Sequence, residues 1–259
     1  MSRRRVSVRY GPDRRQAGDL WLPHVAAGPV PLVVLVHGGF WRAAYTKRLM
    51  NRLAADLVRR GWAAWNVEYR RVGRFGGGGS WSASHADVAA ALAHVAALEG
   101  VDRERVAVCG HSAGAQLALC ALAGPKPAAT VPRTDPQGVD VRVAVSLAGV
   151  LDLVDAADGR LGRGAVASFL GGSPDAVPSR YADCSPLALV PIGIDQVVVH
   201  GDDDSVVPRA MSERYAKAAA AAGDRVVLEV APGHGHLAMI DPRREAWRTV
   251  VTYLSDFLA

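Results

Sequence analysis

Gly110-His111-Ser112-Ala113-Gly114, with Val106-Ala107-Val108-Cys109 before it and Ala115-Gln116-Leu117-Ala118 after it, decides the fold. The apolar run reads as a buried strand. Residues 112–123 read as an Ala/Leu-rich helix. The residues between them must reverse the chain within a very short span. Such a turn strains the backbone of its central residue and pushes the Ser112 hydroxyl outward. Side chains two positions to either side would collide, so Gly110 and Gly114 carry none. The start of the helix adds positive potential beside that hydroxyl, and Ala113 adds a backbone N–H. The alternative is that Ser112 is an ordinary helix N-cap.

Outward from this turn, strands and helices alternate. Strands are expected at residues 6–10, 19–22, 32–36, 62–67, 106–109, 141–147, 195–199 and 225–230. Helices are expected at 48–60, 84–98, 112–123, 209–222 and 243–258. Ser84 would cap the second helix with Asp87 in a capping box, and Gly124 with Pro125 would close the third. The glycine-rich stretch 73–80 lacks the ending of a phosphate loop and reads as a flexible connection near the site. Residues 151–194 break the rhythm and read as a small cap insertion. The pattern implies one domain over residues 1–259, with a mostly parallel sheet and helices on both faces. Ligands in such sheets bind beyond the carboxyl ends of the strands, so residues that carry chemistry should follow strands.

Three further segments meet that condition. His37-Gly38-Gly39-Phe40-Trp41 follows the strand at 32–36 and has the form of an oxyanion-hole loop. N–H groups of Gly39 and Phe40, with Gly38 a further candidate, would face a developing negative oxygen. His37 could act as a base but is read as orienting the loop. His200 to Pro208 follows the strand at 195–199 and holds Asp202, Asp203 and Asp204, with Asp202 and Asp204 the candidates for an acid. Gly233-His234-Gly235-His236 follows the last strand, and either histidine could be a base. A serine, an acid and a histidine are what acyl transfer needs: a nucleophile, a carboxylate to orient the proton acceptor, and the acceptor itself.

These segments resemble the α/β-hydrolase superfamily, and within it the kynurenine formamidases (arylformamidases) and the hormone-sensitive-lipase-like esterases. The likeness runs over residues 32–241. Residues 37–41 are similar to the HGGYW of the formamidases with Phe40 for Tyr, and Gly110 to Ala115 match their GHSAGA. Residues 236–241 resemble their H-F-x-x-I-D, and Tyr181 to Pro186 their Y-x-x-x-SP. The H-G-x-x-D-x-x-V-P spacing of these hydrolases selects Asp204, and the apolar run after His236 selects His236. The resemblance implies a serine hydrolase acting through Ser112, Asp204 and His236. Its oxyanion hole would be built from Gly38, Gly39, Phe40 and Ala113. The substrate would be a small ester or aryl amide with a short acyl group such as formyl or acetyl. Trp41, Trp81, His111, Phe169 and Tyr181 are the expected substrate-pocket residues, with packing the alternative for Trp41 and His111. No metal or organic cofactor is implied. A peptidase or lyase activity on the same fold, or ligand binding without chemistry, are the alternatives.

Composition limits the rest. In 259 residues, 50% hydrophobic and 21% charged, one sizeable core can be buried and global disorder is excluded. The net charge of +5 comes mostly from Arg, densest at Arg3, Arg4 and Arg5, with no interleaved aromatic stripe for nucleic acid. Cys109, Cys120 and Cys184 make no CxxC spacing, which argues against disulfides and zinc and fits the cytoplasm. No signal peptide or membrane-spanning run is read. A homodimer is compatible with the sequence, which carries no signature of one.

Overall fold

The computed structural model describes residues 3–24, 28–123 and 138–259. Eight strands form one sheet in the order β1-β2-β4-β3-β5-β6-β7-β8. They are β1 (Arg3–Arg9), β2 (Ala17–Pro23), β3 (Val30–Val36), β4 (Ala63–Val67), β5 (Val101–His111), β6 (Val141–Leu147), β7 (Gln196–Gly201) and β8 (Val226–Ala231). β1 and β2 join antiparallel, and every pairing from β4 to β8 is parallel. This is the mostly parallel sheet with helices on both faces that the alternating pattern predicts.

The central strands are apolar at successive positions because both their faces are covered. Leu32, Val34 and Val36 of β3 and Val106 and Val108 of β5 enter one core. Their neighbours Val33, Leu35, Ala107 and Cys109 enter the other. Helices α2 (Trp81–His94), α3 (Ala113–Leu122) and α8 (Arg209–Ala221) supply the first core. Helices α1 (Asn51–Arg59) and α9 (Glu245–Phe257) supply the second. Between β6 and β7 lies an insert of four short helices: α4 (Leu153–Asp158), α5 (Leu161–Leu170), α6 (Pro178–Cys184) and α7 (Pro186–Leu189). Its Val166, Phe169, Tyr181 and Leu189 join the first core.

The structure corrects two local readings, and a third lies outside the described residues. Helix α2 starts at Trp81, and Ser80, not Ser84, caps it by accepting from the Ala83 N–H at 3.3 Å. Ser84 and Asp87 are buried and bond across the chain. The Ser84 hydroxyl donates to the Arg70 carbonyl at 2.7 Å, and Asp87 takes Arg70 at 2.6 Å and the Gln16 amide at 2.7 Å. A capping-box spacing therefore mimics a buried tertiary pair. The glycine-rich stretch is not a loose connection. The Arg71 N–H donates to the Gly76 carbonyl and the Gly79 N–H to the Arg71 carbonyl, at 2.7 and 3.1 Å. The expected helix stop at Gly124 and Pro125 lies outside the described residues.

Asp87 has no exposed surface, so removing it strands the Arg70 charge and a buried amide. Asp87→Ala should cost on the order of 3 kcal/mol, read as a lower urea midpoint. A change within about 0.5 kcal/mol would show that this pair does not brace β4 to α2.

Candidate active site

The site forms where the strand order reverses. The chain passes from β3 to β4 on one side and returns to β5 on the other, and in such sheets ligands bind at the carboxyl ends of the strands at this reversal, here β3 and β5. Ser112 sits at the end of β5 with φ 55° and ψ −121°, a conformation a side chain rarely adopts. The surroundings hold it there. Its N–H donates to the Leu147 carbonyl at 2.9 Å, and its carbonyl accepts from the Ala115 and Val150 N–H groups at 3.1 and 3.2 Å. A Cβ at Gly110 would run into Ala115, and one at Gly114 into the Val36 carbonyl oxygen.

The loop after β3 closes over this turn. A Cβ on Gly38 would lie 2.7 Å from the His111 carbonyl oxygen and 2.9 Å from Ser112 Cβ, so this backbone runs against the serine itself. Phe40 and Trp41 take left-handed φ of 54° and 56°. His37 anchors the loop from beneath. Its Nε2 lies 2.8 Å from Glu68 Oε1 and its Nδ1 2.7 Å from the Gly38 carbonyl oxygen. Its own carbonyl accepts from the Tyr69 hydroxyl at 2.9 Å. Burial opposes ionisation of Glu68. The His37 hydrogen bond and the His37 and Arg71 charges outweigh it and hold the carboxyl below its usual range. Among the described residues, the backbone N–H groups of Gly38, Gly39, Phe40 and Ala113 donate to no protein acceptor. For Ala113 the reason is its place at the first position of α3, where no carbonyl lies one turn back.

Asp204 follows β7 and His236 follows β8. Asp204 Oδ2 lies 2.7 Å from His236 Nδ1 and 3.2 Å from His200 Nε2, while Oδ1 accepts from the Val206 and Val207 N–H groups at 2.8 and 3.0 Å. Burial raises the proton affinity of this carboxyl, but the bonds from His200 and His236 overcome it and keep Asp204 far below the usual carboxylate range. The neighbouring candidates are occupied elsewhere. Asp202 Oδ1 accepts from the Gly233 N–H at 2.6 Å, and His234 Nδ1 donates to the Pro232 carbonyl at 2.6 Å.

His111 ties the histidine segment to the serine turn. Its ring lies 4.6 Å from the His236 ring, and its Nε2 donates to the His236 carbonyl at 3.2 Å. Burial, then the neighbouring His236, pushes His111 down to about 3, so it stays neutral in this role. Among the described residues, His236 Nε2 and Ser112 Oγ have no protein hydrogen-bond partner and are not bonded to each other. Such bonds are often long in a free enzyme and tighten around substrate.

The expected pocket residues are placed unevenly. Trp41 is fully buried, stacked on Phe169 at 4.5 Å, and its Nε1 donates to Gln116 Oε1 at 2.9 Å. Tyr181 is buried, donates to the Gly172 carbonyl and lines a cavity of about 460 Å³ with Val154, Pro178 and Leu187. No triad candidate lines that cavity. Trp81 opens α2 beneath the Arg180 guanidinium, 5.4 Å from its ring centre. The sequence reading missed Glu68, Gln116 and His200. His200 lay inside the very segment that supplied Asp204, and its i,i+4 spacing to that acid was the available signal.

The depressed Asp204 sets an acid limit. A carboxylate held below its unfolded value adds stability that is present above that value and is lost as pH falls through the folded one. Urea midpoints should therefore fall for the wild type below about pH 4, where free carboxylates begin to protonate. Asp204→Asn should be less stable at pH 7 and show a shallower fall. Parallel curves for the two proteins would show that Asp204 is not the group responsible.

Residues 19–218 match the BD-FAE family model. Esterase LipQ of Mycobacterium tuberculosis is 29% identical over 97% of the chain, which spans 61% of that relative's length. Kynurenine formamidase of Salmo salar is 27% identical over 91% of the chain and 76% of its own length. A truncated carbohydrate esterase from gut microbiota superposes with a TM-score of 0.81 at 21% identity, over 99% of this chain and 96% of that one. The chain thus belongs to the BD-FAE family, on an α/β-hydrolase fold.

Proposed function

We propose that the chain is a serine-dependent ester hydrolase that works through an acyl-enzyme. The observation that carries this reading is the 2.7 Å bond from Asp204 to His236, beside a serine held in a strained turn with free N–H groups around it. An ionised Asp204 accepts a hydrogen bond from the Nδ1–H of His236, which leaves the lone pair on Nε2. That nitrogen takes the Ser112 proton as Oγ attacks the carbonyl carbon. The carbonyl oxygen, now negative, receives the N–H groups of Ala113 and of Gly38, Gly39 and Phe40. One such donor is worth on the order of 3 kcal/mol of barrier. The C–O or C–N bond then breaks and His236 protonates the leaving group. Water, deprotonated by His236, attacks the acyl-enzyme, releases the acid and restores Ser112.

The substrate class follows from the relatives. The resemblance of residues 37–41 and 110–115 to the formamidases favours a short acyl group such as formyl or acetyl. Relatives and neighbours named as esterases support an ester substrate. The likeness to kynurenine formamidase favours an aryl formamide as the second class.

Ser112→Ala should lower turnover of 4-nitrophenyl acetate on the order of a million-fold while leaving the urea midpoint close to wild type. Retained turnover would take Ser112 out of the reaction. The ratio of kcat/KM on 4-nitrophenyl acetate to that on N-formylkynurenine decides between ester and formamide; a ratio below one would reverse the ester preference.

A further inference from the structure

The insert touches the oxyanion loop at a point that acyl transfer leaves unexplained. At the start of α5 the chain makes a left-handed turn, with φ of 51° at Arg160, 59° at Gly162, 59° at Arg163 and 78° at Gly164. Two of these residues are arginines, and non-glycine residues hold such angles only where the surroundings over-determine them. Two contacts do so. A Cβ on Gly162 would lie 2.6 Å from Cδ1 and Cε1 of the Phe40 ring, so the ring rests flush on bare backbone. The Gly162 carbonyl also accepts from Arg42 Nη2 at 2.6 Å, a charge-assisted bond reaching 120 residues along the chain.

Arg42 grips the loop as well as the insert. Its backbone N–H donates to the Gly39 carbonyl at 3.0 Å, and its guanidinium lies 5.7 Å from the Phe40 ring centre. Phe40 and Trp41, between these attachments, are themselves left-handed. Rotation of Phe40 toward an ordinary φ would swing the peptide planes on either side of it and re-aim the N–H groups of the loop. Donors preorganised for an oxyanion help only if they do not reorganise during the reaction.

We propose that Arg42 and Gly162 form a strut through which the insert fixes Phe40, and with it the oxyanion N–H groups. They are positioning residues, and the proposal rests on the acyl-transfer reading above. Arg42 acts through its bond to the insert, and Gly162 acts by having no side chain where the Phe40 ring lies.

Arg42→Met keeps the stem against Phe40 and deletes the donor, Arg42→Lys restores a donor, and Gly162→Ala pushes the ring while leaving the guanidinium in place. Each is assayed on 4-nitrophenyl acetate with its Tm, beside wild type and Ser112→Ala. Arg42→Met and Gly162→Ala should each lose on the order of ten- to a hundredfold in kcat with KM within about twofold, and Arg42→Lys should recover most of that loss. A residue that merely braces the fold would lower Tm and leave kcat of the folded enzyme unchanged, and that result overturns the strut. If Ser112→Ala is inactive while Arg42→Met and Gly162→Ala keep wild-type kcat, the strut alone falls. If Ser112→Ala keeps full turnover, the acyl-transfer reading fails and the strut with it.

Discussion

The first turn of α3 lies directly on the end of β3, and the site depends on that approach. Residue 114 faces the Val36 carbonyl with no room for a Cβ, and the His37 carbonyl oxygen would be 2.5 Å from one. Because β3 and β5 are neighbours in the sheet, this contact presses the serine turn and the glycine loop together. Gly38 completes the contact by running past Ser112. Strain at Ser112, on the order of 1–3 kcal/mol for such a conformation, is held by bonds to the end of β6 and the chain just beyond it. A wider gap between α3 and β3 would relax the serine and move the loop from it at once.

Buried carboxylates organise the walls around this contact. Asp87 fixes the stretch after β4 to α2, Glu68 fixes His37 beneath the loop, and Asp204 fixes His236. Each is saturated by donors, as a buried charge must be. Asp204 has four around its two oxygens. A carboxylate so surrounded stays ionised when a proton arrives on His236. In the proposed acyl transfer it would therefore stabilise the imidazolium without competing for its proton.

The features that sequence made legible are those set by neighbours in the chain. The turn at Ser112 follows from two glycines and an abrupt change from strand to helix, and the loop at 37–41 from glycines after a buried strand. The eight-strand sheet follows from apolar runs at regular spacing. What depended on distant partners was misread or unseen. Ser84 and Asp87 had the spacing of a cap, but burial sent both across the chain to Arg70. Glu68 gave no sign of pairing with His37, 31 residues away. Trp41, Phe169 and Tyr181 looked like pocket residues because aromatic side chains serve both purposes. Only the stacking of Trp41 on Phe169 and the Gln116 bond show the packing. Asp202 and Asp204 differ by two positions; the spacing shared with related hydrolases selected Asp204, and the bond to His236 at 2.7 Å agrees.

Histidine usage shows why one ring of several suits proton transfer. His37 has both nitrogens occupied, by Glu68 and the Gly38 carbonyl. His200 is likewise occupied, by Ser212 on Nδ1 and by the Val207 carbonyl and Asp204 together on Nε2. His111 spends its Nε2 proton on the His236 carbonyl, and its remaining nitrogen is buried. Each of these rings would have to break a bond, or take a charge into an apolar interior, before accepting a proton. His236 has to do neither. Its Nδ1 is committed to a carboxylate that welcomes the positive charge, and its Nε2 is unbonded. The other three rings hold neighbouring segments in place: His37 the loop after β3, His200 the segment that carries Asp204 against α8, and His111 the chain at residue 236.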